Sequence, residues 1–391
     1  MTMTIHQRPE DVTPAFNPVV YVVSSTNSSE PNHKFIIDIK VGGTLITREK
    51  FTPPPLQANA FIDIGRIVSN LVKFDLDFSL ISCYPMLNSQ KDFTIEIGES
   101  YGGTDYLNKV SDTFTAVNIG LDPYQWLDYD FANYEQKILN KLTNKLRINS
   151  KAWLYFYHTN TNQVTGIRVT ATNAAGTPTI SEIDNPYNAS NPDDRFVYCP
   201  IGANMNTIDA ADLNPAINAG NVLPADTVSV LIELLDTAVV TDSMTYEIIG
   251  TCYKDYEVYY LNSNGAFDTL VFNKNYSIKR NLQYQNTERI NSSMLTATSY
   301  GYNSYDGQAV KNRIDTRQRW MLNTDWINEV ESAALFEMVS SPVIFLKDNG
   351  VVKRVNQNLT DYQEENQRAK KIFNFSIELT DSLQFERQWI N

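Results

Sequence analysis

The stretch Lys34-Phe35-Ile36-Ile37-Asp38-Ile39-Lys40-Val41-Gly42-Gly43-Thr44-Leu45-Ile46-Thr47 decides the fold class. Every second side chain from Phe35 to Val41 is apolar, which is the two-residue period of a β-strand. The glycine pair that follows can adopt positive φ at no steric cost, as a two-residue hairpin turn requires. The stretch therefore predicts a β-hairpin over residues 34–47.

Similar patterns recur along the whole chain, and they predict a mainly β protein. Aromatic residues make up 12% of the sequence, and they suit half-buried pleated surfaces better than helices. The predicted strands lie at residues 19–23, 93–97, 151–159, 167–172, 227–235, 245–260 and 372–379. Short strands separated by turns are typical of tandem β-sandwich-like domains.

The last third of the chain predicts a C-terminal α+β module with one helix and one hairpin. Thr324 or Asp325 can cap the helix, and Ser341-Pro342 ends it. Asn349-Gly350 suits the turn of a hairpin over residues 343–355. Two further helices are predicted at residues 60–72 and 131–146, where apolar residues recur at helical spacing.

The length of 391 residues exceeds the usual size of one hydrophobic core. We expect an N-terminal β-sandwich domain at 1–120, a helical or extended connector at 121–150, a second β domain at 151–265 and the α+β module at 266–391. Within the second domain, residues 173–223 predict a long loop, because Asn, Ala, Asp, Pro and Thr dominate there.

The net charge of −13 and the pI near 4.8 disfavour specific nucleic-acid binding, which needs clustered Lys and Arg. The sequence contains no apolar run of roughly 18 residues, so we expect no membrane insertion. The first 18 residues contain no signal-peptide pattern. Cys83, Cys199 and Cys252 are few and widely spaced, so we expect buried free thiols and folding in a reducing compartment.

No motif for catalysis, a cofactor or a metal is present, so we predict no catalytic, cofactor-binding or metal residues and no enzyme activity. The chain has 3 histidines, and His158 at a strand end reads as a satisfied rim side chain. Asp128 and Asp130, near Trp126 and Tyr129, are the most site-like carboxylates, but acidic and aromatic residues crowd the whole sequence. The Asp-rich loop at 184–194 does not fit the spacing of an EF-hand.

The predicted loop at 173–223 carries isolated apolar anchors, which a purely disordered linker would lack. They include the candidate interface residues Phe196, Tyr198, Ile201 and Met205. We expect these side chains to pack against another subunit or another protein, because loops on rigid β scaffolds form binding surfaces. The alternative is a lobe that folds onto its own domain.

Seven segments together resemble virion proteins of tailed phages of gut Bacteroidetes, including the crAss-like group. They are residues 16–26 (FNPVVYVVSST), 35–39 (FIIDI), 61–67 (FIDIGRI), 153–157 (WLYFY), 260–269 (YLNSNGAFDT), 322–326 (LNTDW) and 340–346 (SSPVIFL). The resemblance follows the chain in order, and its segments span most of the chain from residue 16 to residue 346. It implies a neck or tail component that assembles as a ring of identical copies and contacts other neck or tail proteins.

The expected location is therefore the virion, with assembly in the host cytoplasm. The alternative function is a receptor-binding or carbohydrate-binding tail or fibre module, because Trp and Tyr on β domains can stack on sugar rings.

Overall fold

The computed structural model describes residues 3–54, 59–79, 83–131, 138–141, 145–159, 162–187, 190–201, 223–237, 239–250, 254–288, 298, 309–324, 329–358, 376–383 and 385–388. Strand accounts for 58% of this part and helix for 8%, so the chain is mainly β. It divides into two compact units: Met1–Ile249 with Leu261–Asp268, and Gly250–Tyr260 with Thr269–Asn391. The four sequence segments expected above stay predictions.

The strands before residue 250 form four sheets, and two short helices accompany them. In chain order the elements are β1 (Met3–Gln7), β2 (Val12–Pro14), β3 (Val20–Ser25), β4 (Lys34–Val41), β5 (Thr44–Phe51), β6 (Asn59–Asp63), α1 (Gly65–Leu71), β7 (Tyr84–Pro85), β8 (Gln90–Tyr101), β9 (Thr104–Val117), α2 (Pro123–Leu127), β10 (Lys145–Leu146), β11 (Trp153–Tyr157), β12 (Gly166–Asn173), β13 (Pro178–Asp184), β14 (Phe196–Pro200), β15 (Thr227–Asp236) and β16 (Val239–Ile248).

Sheets 1 and 2 share one hydrophobic core. Sheet 1 has the order β1-β3-β6, and sheet 2 has the order β2-β9-β8-β4-β5. Tyr21 and Ile62 from sheet 1 pack in the same cluster as Ile37 and Ile95 from sheet 2. The hairpin predicted at residues 34–47 is confirmed: β4 pairs with β5, and both turn glycines have positive φ.

Sheets 3 and 4 complete the first group of strands. Sheet 3 has the order β11-β14-β7, and all five residues of β11 and of β14 are buried. Sheet 4 has the order β10-β16-β15-β12-β13 and buries one face through Val169, Ile232 and Leu234. Its opposite face carries charged side chains, including Arg168 and Glu233.

The remaining elements form sheet 5 and one helix. They are β17 (Tyr256–Leu261), β18 (Phe267–Phe272), β19 (Tyr276–Glu288), β20 (Ala309–Asn323), α3 (Glu329–Ser340), β21 (Ile344–Asp348), β22 (Val351–Gln357), β23 (Ser376–Asp381) and β24 (Phe385–Gln388). The order in sheet 5 is β18-β17-β21-β22-β23-β20-β19, with β24 also pairing with β20. None of the helices in the described ranges is both long and apolar enough to span a membrane.

The predicted C-terminal helix is confirmed over Glu329–Ser340, and it ends directly before Ser341-Pro342 as expected. The Asn349-Gly350 hairpin is also confirmed, because β21 and β22 pair up to Asp348 and Val351 on either side of it. The expected long strand at 245–260 is instead divided between β16 and β17.

The helix predicted at 131–146 is wrong wherever the structure describes that segment. Ile138 forms a β-bridge with Phe156, and Lys145–Leu146 is a strand. The Asn140 amide explains the extended backbone, since it donates to Asp268 Oδ1 at 3.0 Å and accepts from the Tyr155 N–H at 2.7 Å. A helix in this position would carry that amide away from both partners.

The helix predicted at 60–72 is half right. Its first residues lie in strand β6, and the helix begins only at Gly65. Asp63 accepts hydrogen bonds from the Gly65 and Val19 N–H groups, at 2.8 and 3.1 Å, at this change from strand to helix.

The loop predicted at 173–223 contains two strands, β13 and β14, in its described part. β13 pairs with β12, and β14 pairs with β11, so both belong to sheets of the same compact unit. Residues 202–222 of the predicted loop lie outside the described residues.

The prediction of free thiols is wrong for two of the three cysteines. Cys83 and Cys199 form a disulfide between residues 116 positions apart in the sequence. Sequence spacing gave no sign of this pair, because β14 brings Cys199 beside the segment before β7 only in the folded sheet. The inference of a reducing compartment therefore loses its main support. Cys252 lies outside the described residues.

The Asn349-Gly350 turn generates a stability prediction. Asn349 and Gly350 have φ of 50° and 80°, and a β-branched residue tolerates positive φ poorly. Gly350→Val should therefore lower the free energy of unfolding by about 1–2 kcal/mol, measured by chemical denaturation. Asn349→Gly is the matched control, because glycine keeps the turn accessible. Equal stability of Gly350→Val and the native chain would contradict this turn assignment.

The disulfide generates a second prediction. Closing a loop of this length restricts the unfolded chain and stabilises the fold by about 5 kcal/mol in the chain-entropy account. Reduction and the Cys83→Ala substitution should lower stability by similar amounts, and reduction should not destabilise Cys83→Ala further. Mass spectrometry of the unreduced digest should find the two cysteine peptides linked. A digest with only separate peptides would show that the bond does not form.

Candidate functional site

The residues predicted as an interface lie mostly in the interior. Phe196, Tyr198 and Ile201 are 3%, 6% and 2% exposed, and Met205 lies outside the described residues. Tyr198 stacks on Tyr155 of the neighbouring strand with ring centroids 5.3 Å apart. This placement corresponds to the alternative in which the segment folds onto its own domain.

His158 is a core side chain and not the rim side chain that we expected. It is 1% exposed, its Nε2 lies 2.7 Å from the Asp194 carbonyl oxygen, and its Nδ1 accepts from the Val164 N–H at 3.4 Å. Burial lowers the pKa of His158 below its ordinary value. Both ring nitrogens therefore have partners inside the fold.

The acidic and aromatic group around α2 has a structural arrangement. Trp126 stacks on Tyr129 with ring centroids 5.8 Å apart, and the Tyr129 hydroxyl donates to the Val12 carbonyl oxygen at 2.8 Å.

Within the described residues, no group of three or more His, Cys, Asp and Glu side chains could hold a metal ion.

The most exposed large feature of the described chain is the hairpin of β19 and β20, which we call the arm. The two strands pair from Tyr276↔Leu322 to Glu288↔Ala309, with one irregularity near Gln285. β20 is also covered by β23 and β24 on its other side, whereas β19 is the last strand of sheet 5. Among the described residues, the arm therefore presents one long edge.

The edge of the arm differs from the other sheet edges in the described residues. β2, β7 and β10 contain three, two and two residues, and short edge strands offer little backbone for association. β19 has 13 residues. A long edge strand leaves a row of backbone N–H and C=O groups available to another strand.

One face of the arm is mostly apolar. On β19 it carries Tyr276, Ile278, Leu282 and Tyr284, which are 40%, 39%, 48% and 47% exposed, and Arg280 lies between Ile278 and Leu282. The same face continues into the core of sheet 5 through Trp320, which is opposite Ile278 and is fully buried. A row of exposed aromatic and aliphatic side chains marks an interaction surface more often than an ordinary solvent face.

The other face of the arm is polar and basic. Asn281, Gln283, Asp315, Arg317 and Arg319 line a cavity of about 220 Å³ on it. Arg319 contacts Glu378 at 2.8 Å, and Arg313 contacts Asp315 at 2.8 Å. Hydrogen bonds from Asn358 and Arg319 hold the pKa of Glu378 below its ordinary value. Over both strands the arm contains six basic and two acidic residues.

A second group of polar side chains surrounds the buried carboxylate of Glu99, and we call it the Glu99 cluster. Glu99 accepts from Ser25 Oγ at 2.5 Å and from Asn27 Nδ2 at 2.7 Å, and it forms an ion pair with Lys109. His33 Nε2 lies 3.2 Å from Oε2 of the Glu99 carboxylate. The carboxylate is therefore satisfied on both oxygens inside the core of sheets 1 and 2.

A bulge between β8 and β9 places the ion pair. The register changes between Ile97↔Val110 and Glu99↔Tyr106, and Asn108 has a positive φ of 55° within the bulge. A Cβ on Gly98 would lie 2.4 Å from the Tyr106 carbonyl oxygen, so only glycine fits beside it. The bulge brings Lys109 to Glu99 from the adjacent strand.

The Glu99 cluster controls the protonation of His33. Burial lowers the pKa of His33 below its ordinary value, and the positive charge of Lys109 acts in the same direction. Burial also lowers the pKa of Lys109. The neutral imidazole is thus the form that the fold stabilises, with hydrogen on Nε2 directed to Glu99.

The arm is the functional candidate that sequence reasoning missed. Its alternation of Tyr276, Ile278, Leu282 and Tyr284 with Lys, Asn and Gln positions was readable as a strand. Nothing in the sequence showed that this strand would be the edge of a sheet, because that depends on the pairing of β20 with β23.

Comparison with known proteins adds no assignment. No protein-family model matches the chain, and no curated protein matches it at a significant level.

The lowered pKa of His33 predicts how stability depends on pH. As the pH falls below about 6.5, the unfolded chain binds a proton on this histidine before the folded chain does. Stability is therefore lost as the pH falls from that value toward the folded-state pKa. His33→Gln should lose less stability than the native chain between pH 7 and pH 5, measured by urea unfolding.

His6→Gln is the control for this comparison, because His6 is exposed, and it should behave as the native chain does. Burial also lowers the pKa of His158, but this residue is present in all three proteins and contributes equally to each. Identical pH dependence of the native and His33→Gln proteins would refute the account of the Glu99 cluster.

Proposed function

We propose that this protein is a structural component of a bacteriophage neck or tail, which forms a ring of identical subunits and contacts other virion proteins. In this proposal the chain consists of tandem β-sandwich-like domains and a C-terminal α+β module. It assembles in the host cytoplasm, acts in the virion and catalyses no reaction. The resemblance of the seven sequence segments to virion proteins supports the class of protein.

The observation that carries the proposal is the exposed arm. Its edge strand has 13 residues, and four large apolar or aromatic side chains stand on one face of it. A monomeric protein gains nothing from this arrangement, because water solvates the apolar row poorly and the edge can pair with other chains. A subunit that joins others through the arm buries both.

A ring fits this surface because its contacts are heterologous. In a ring, the patch that a subunit gives to one neighbour differs from the patch that it receives from the other. The arm is such a one-sided element, since its exposed apolar side chains stand on one face of the edge strand of sheet 5.

Electron microscopy and native mass spectrometry of the purified full chain test the proposal. We expect closed cyclic particles of identical copies. The double variant Ile278→Lys/Leu282→Lys should remain monomeric, because charged side chains on an edge strand prevent association. Leu45→Lys/Ile46→Lys is the matched control, since it places two lysines on exposed apolar positions of β5, and it should still assemble.

Two results would overturn the proposal. A native chain that stays monomeric at all concentrations would exclude self-assembly into a ring. A trimer that binds sugars on a glycan array would instead support the receptor-binding or carbohydrate-binding alternative.

A further inference from the structure

The charge of the chain is divided unequally between its two compact units. Met1–Ile249 with Leu261–Asp268 contains 16 basic and 29 acidic residues, and it carries the whole net charge of −13. Gly250–Tyr260 with Thr269–Asn391 contains 16 basic and 16 acidic residues. Net charge therefore disfavours a contact between the first units of two copies.

The most one-sided acidic element is the hairpin of β15 and β16, which we call the acidic hairpin. Residues 223–250 contain five acidic residues and no Lys or Arg: Asp226, Glu233, Asp236, Asp242 and Glu247. This hairpin also exposes apolar side chains, because Val228, Val239 and Val240 are 41%, 66% and 44% exposed. It thus combines negative charge with exposed apolar surface.

The arm has the complementary composition. It carries six basic and two acidic residues, together with its exposed apolar row. Arg313 and Arg317 lie four residues apart on the same face of β20. On the acidic hairpin, Glu247 of β16 lies opposite Ser229 of β15, and Ser229 is four residues from Glu233 along β15. Glu233 and Glu247 therefore lie on the same face of sheet 4. Both charge pairs are therefore spaced by about 13 Å along their strands.

We propose that the basic face of the arm of one copy docks on the acidic hairpin of a second copy. The proposal rests on the ring assembly proposed above and names the two surfaces that meet in it. Arg313 and Arg317 face Glu233 and Glu247 of the neighbour, whereas the apolar row of the arm lies on the opposite face of the two strands and takes no part in this contact. Each copy gives its arm to one neighbour and its acidic hairpin to the other.

Opposite charges in this contact set the pairing and its direction more than its strength. Two arms repel each other because both are basic, and two acidic hairpins repel each other in the same way. The symmetric dimer through either element is therefore disfavoured, and the head-to-tail contact remains.

Charge reversal on each side tests the contact. Each of two variants, Arg313→Glu/Arg317→Glu and Glu233→Lys/Glu247→Lys, should self-associate at least roughly tenfold more weakly than the native chain. A mixture of the two variants should associate again, because the arm of each variant then finds a hairpin of opposite charge on the other variant. Sedimentation velocity measures all three samples.

Two controls separate the contact from folding and from net charge. Lys34→Glu/Arg66→Glu makes the same change in net charge as Arg313→Glu/Arg317→Glu, at exposed positions outside both hairpins, and it should associate as the native chain does. Circular dichroism and thermal melting identify a variant that does not fold. If Arg313→Glu/Arg317→Glu does not fold, the neutral variant Arg313→Gln/Arg317→Gln replaces it, and we expect a smaller loss of association.

The outcomes distinguish this inference from the proposed function. If native rings form and both reversed variants also form rings alone, the docking inference is wrong and the ring proposal stands. If the native chain and the mixed variants both associate into open chains only, the docking inference stands and the ring proposal fails. If no sample associates, both are overturned.

Discussion

The fold depends on one constraint, that each open β-sheet ends in strands whose outer backbone groups lack a partner in that sheet. Several edges in the described part of this chain limit the problem by being short, as β2, β7 and β10 are, or by carrying charge, as Arg48, Glu49 and Lys50 do on β5. β19 also carries charge, at Lys279, Arg280 and Glu288, but it is the longest of these edges, with 13 residues, and it keeps four exposed apolar or aromatic side chains. It is therefore the described edge that offers the most backbone to another strand.

Buried polar groups determine which packing of the sheets is allowed. Glu99 lies on the same face of β8 as Ile95 and Ile97, so the alternation of the strand takes a carboxylate into the core. Ser25, Asn27, His33 and Lys109 come from three other parts of the chain to satisfy it. An incorrect register in β9 would leave the carboxylate without its cation, at a cost of several kcal/mol. The cluster therefore contributes to specificity of register as well as to stability.

Local signals in the sequence predicted local structure well. The hairpins at Gly42-Gly43 and Asn349-Gly350 follow from the backbone freedom of two adjacent residues, and α3 follows from its helical period and the proline after it. The helix at 131–146 was mispredicted because spacing at i+4 does not reveal that the Asn140 amide bonds to Asp268, more than 100 residues later. Phe196, Tyr198 and Ile201 were taken for surface anchors because a buried strand in a sheet with two covered faces shows no alternation. Both the disulfide and the arm depend on which strands become neighbours, and that information is not local.

The disulfide between Cys83 and Cys199 has a consequence for time scales. Both sulfur-bearing residues are buried, at 4% and 0% exposure, inside the sheet that β7, β11 and β14 form. A small thiol from solution must reach one sulfur in line with the bond before exchange can begin. That approach requires the sheet to open first, so the persistence of the bond in a reducing solution is governed by the rate of local opening. Once formed, the bond therefore persists in a reducing solution for as long as the sheet stays closed.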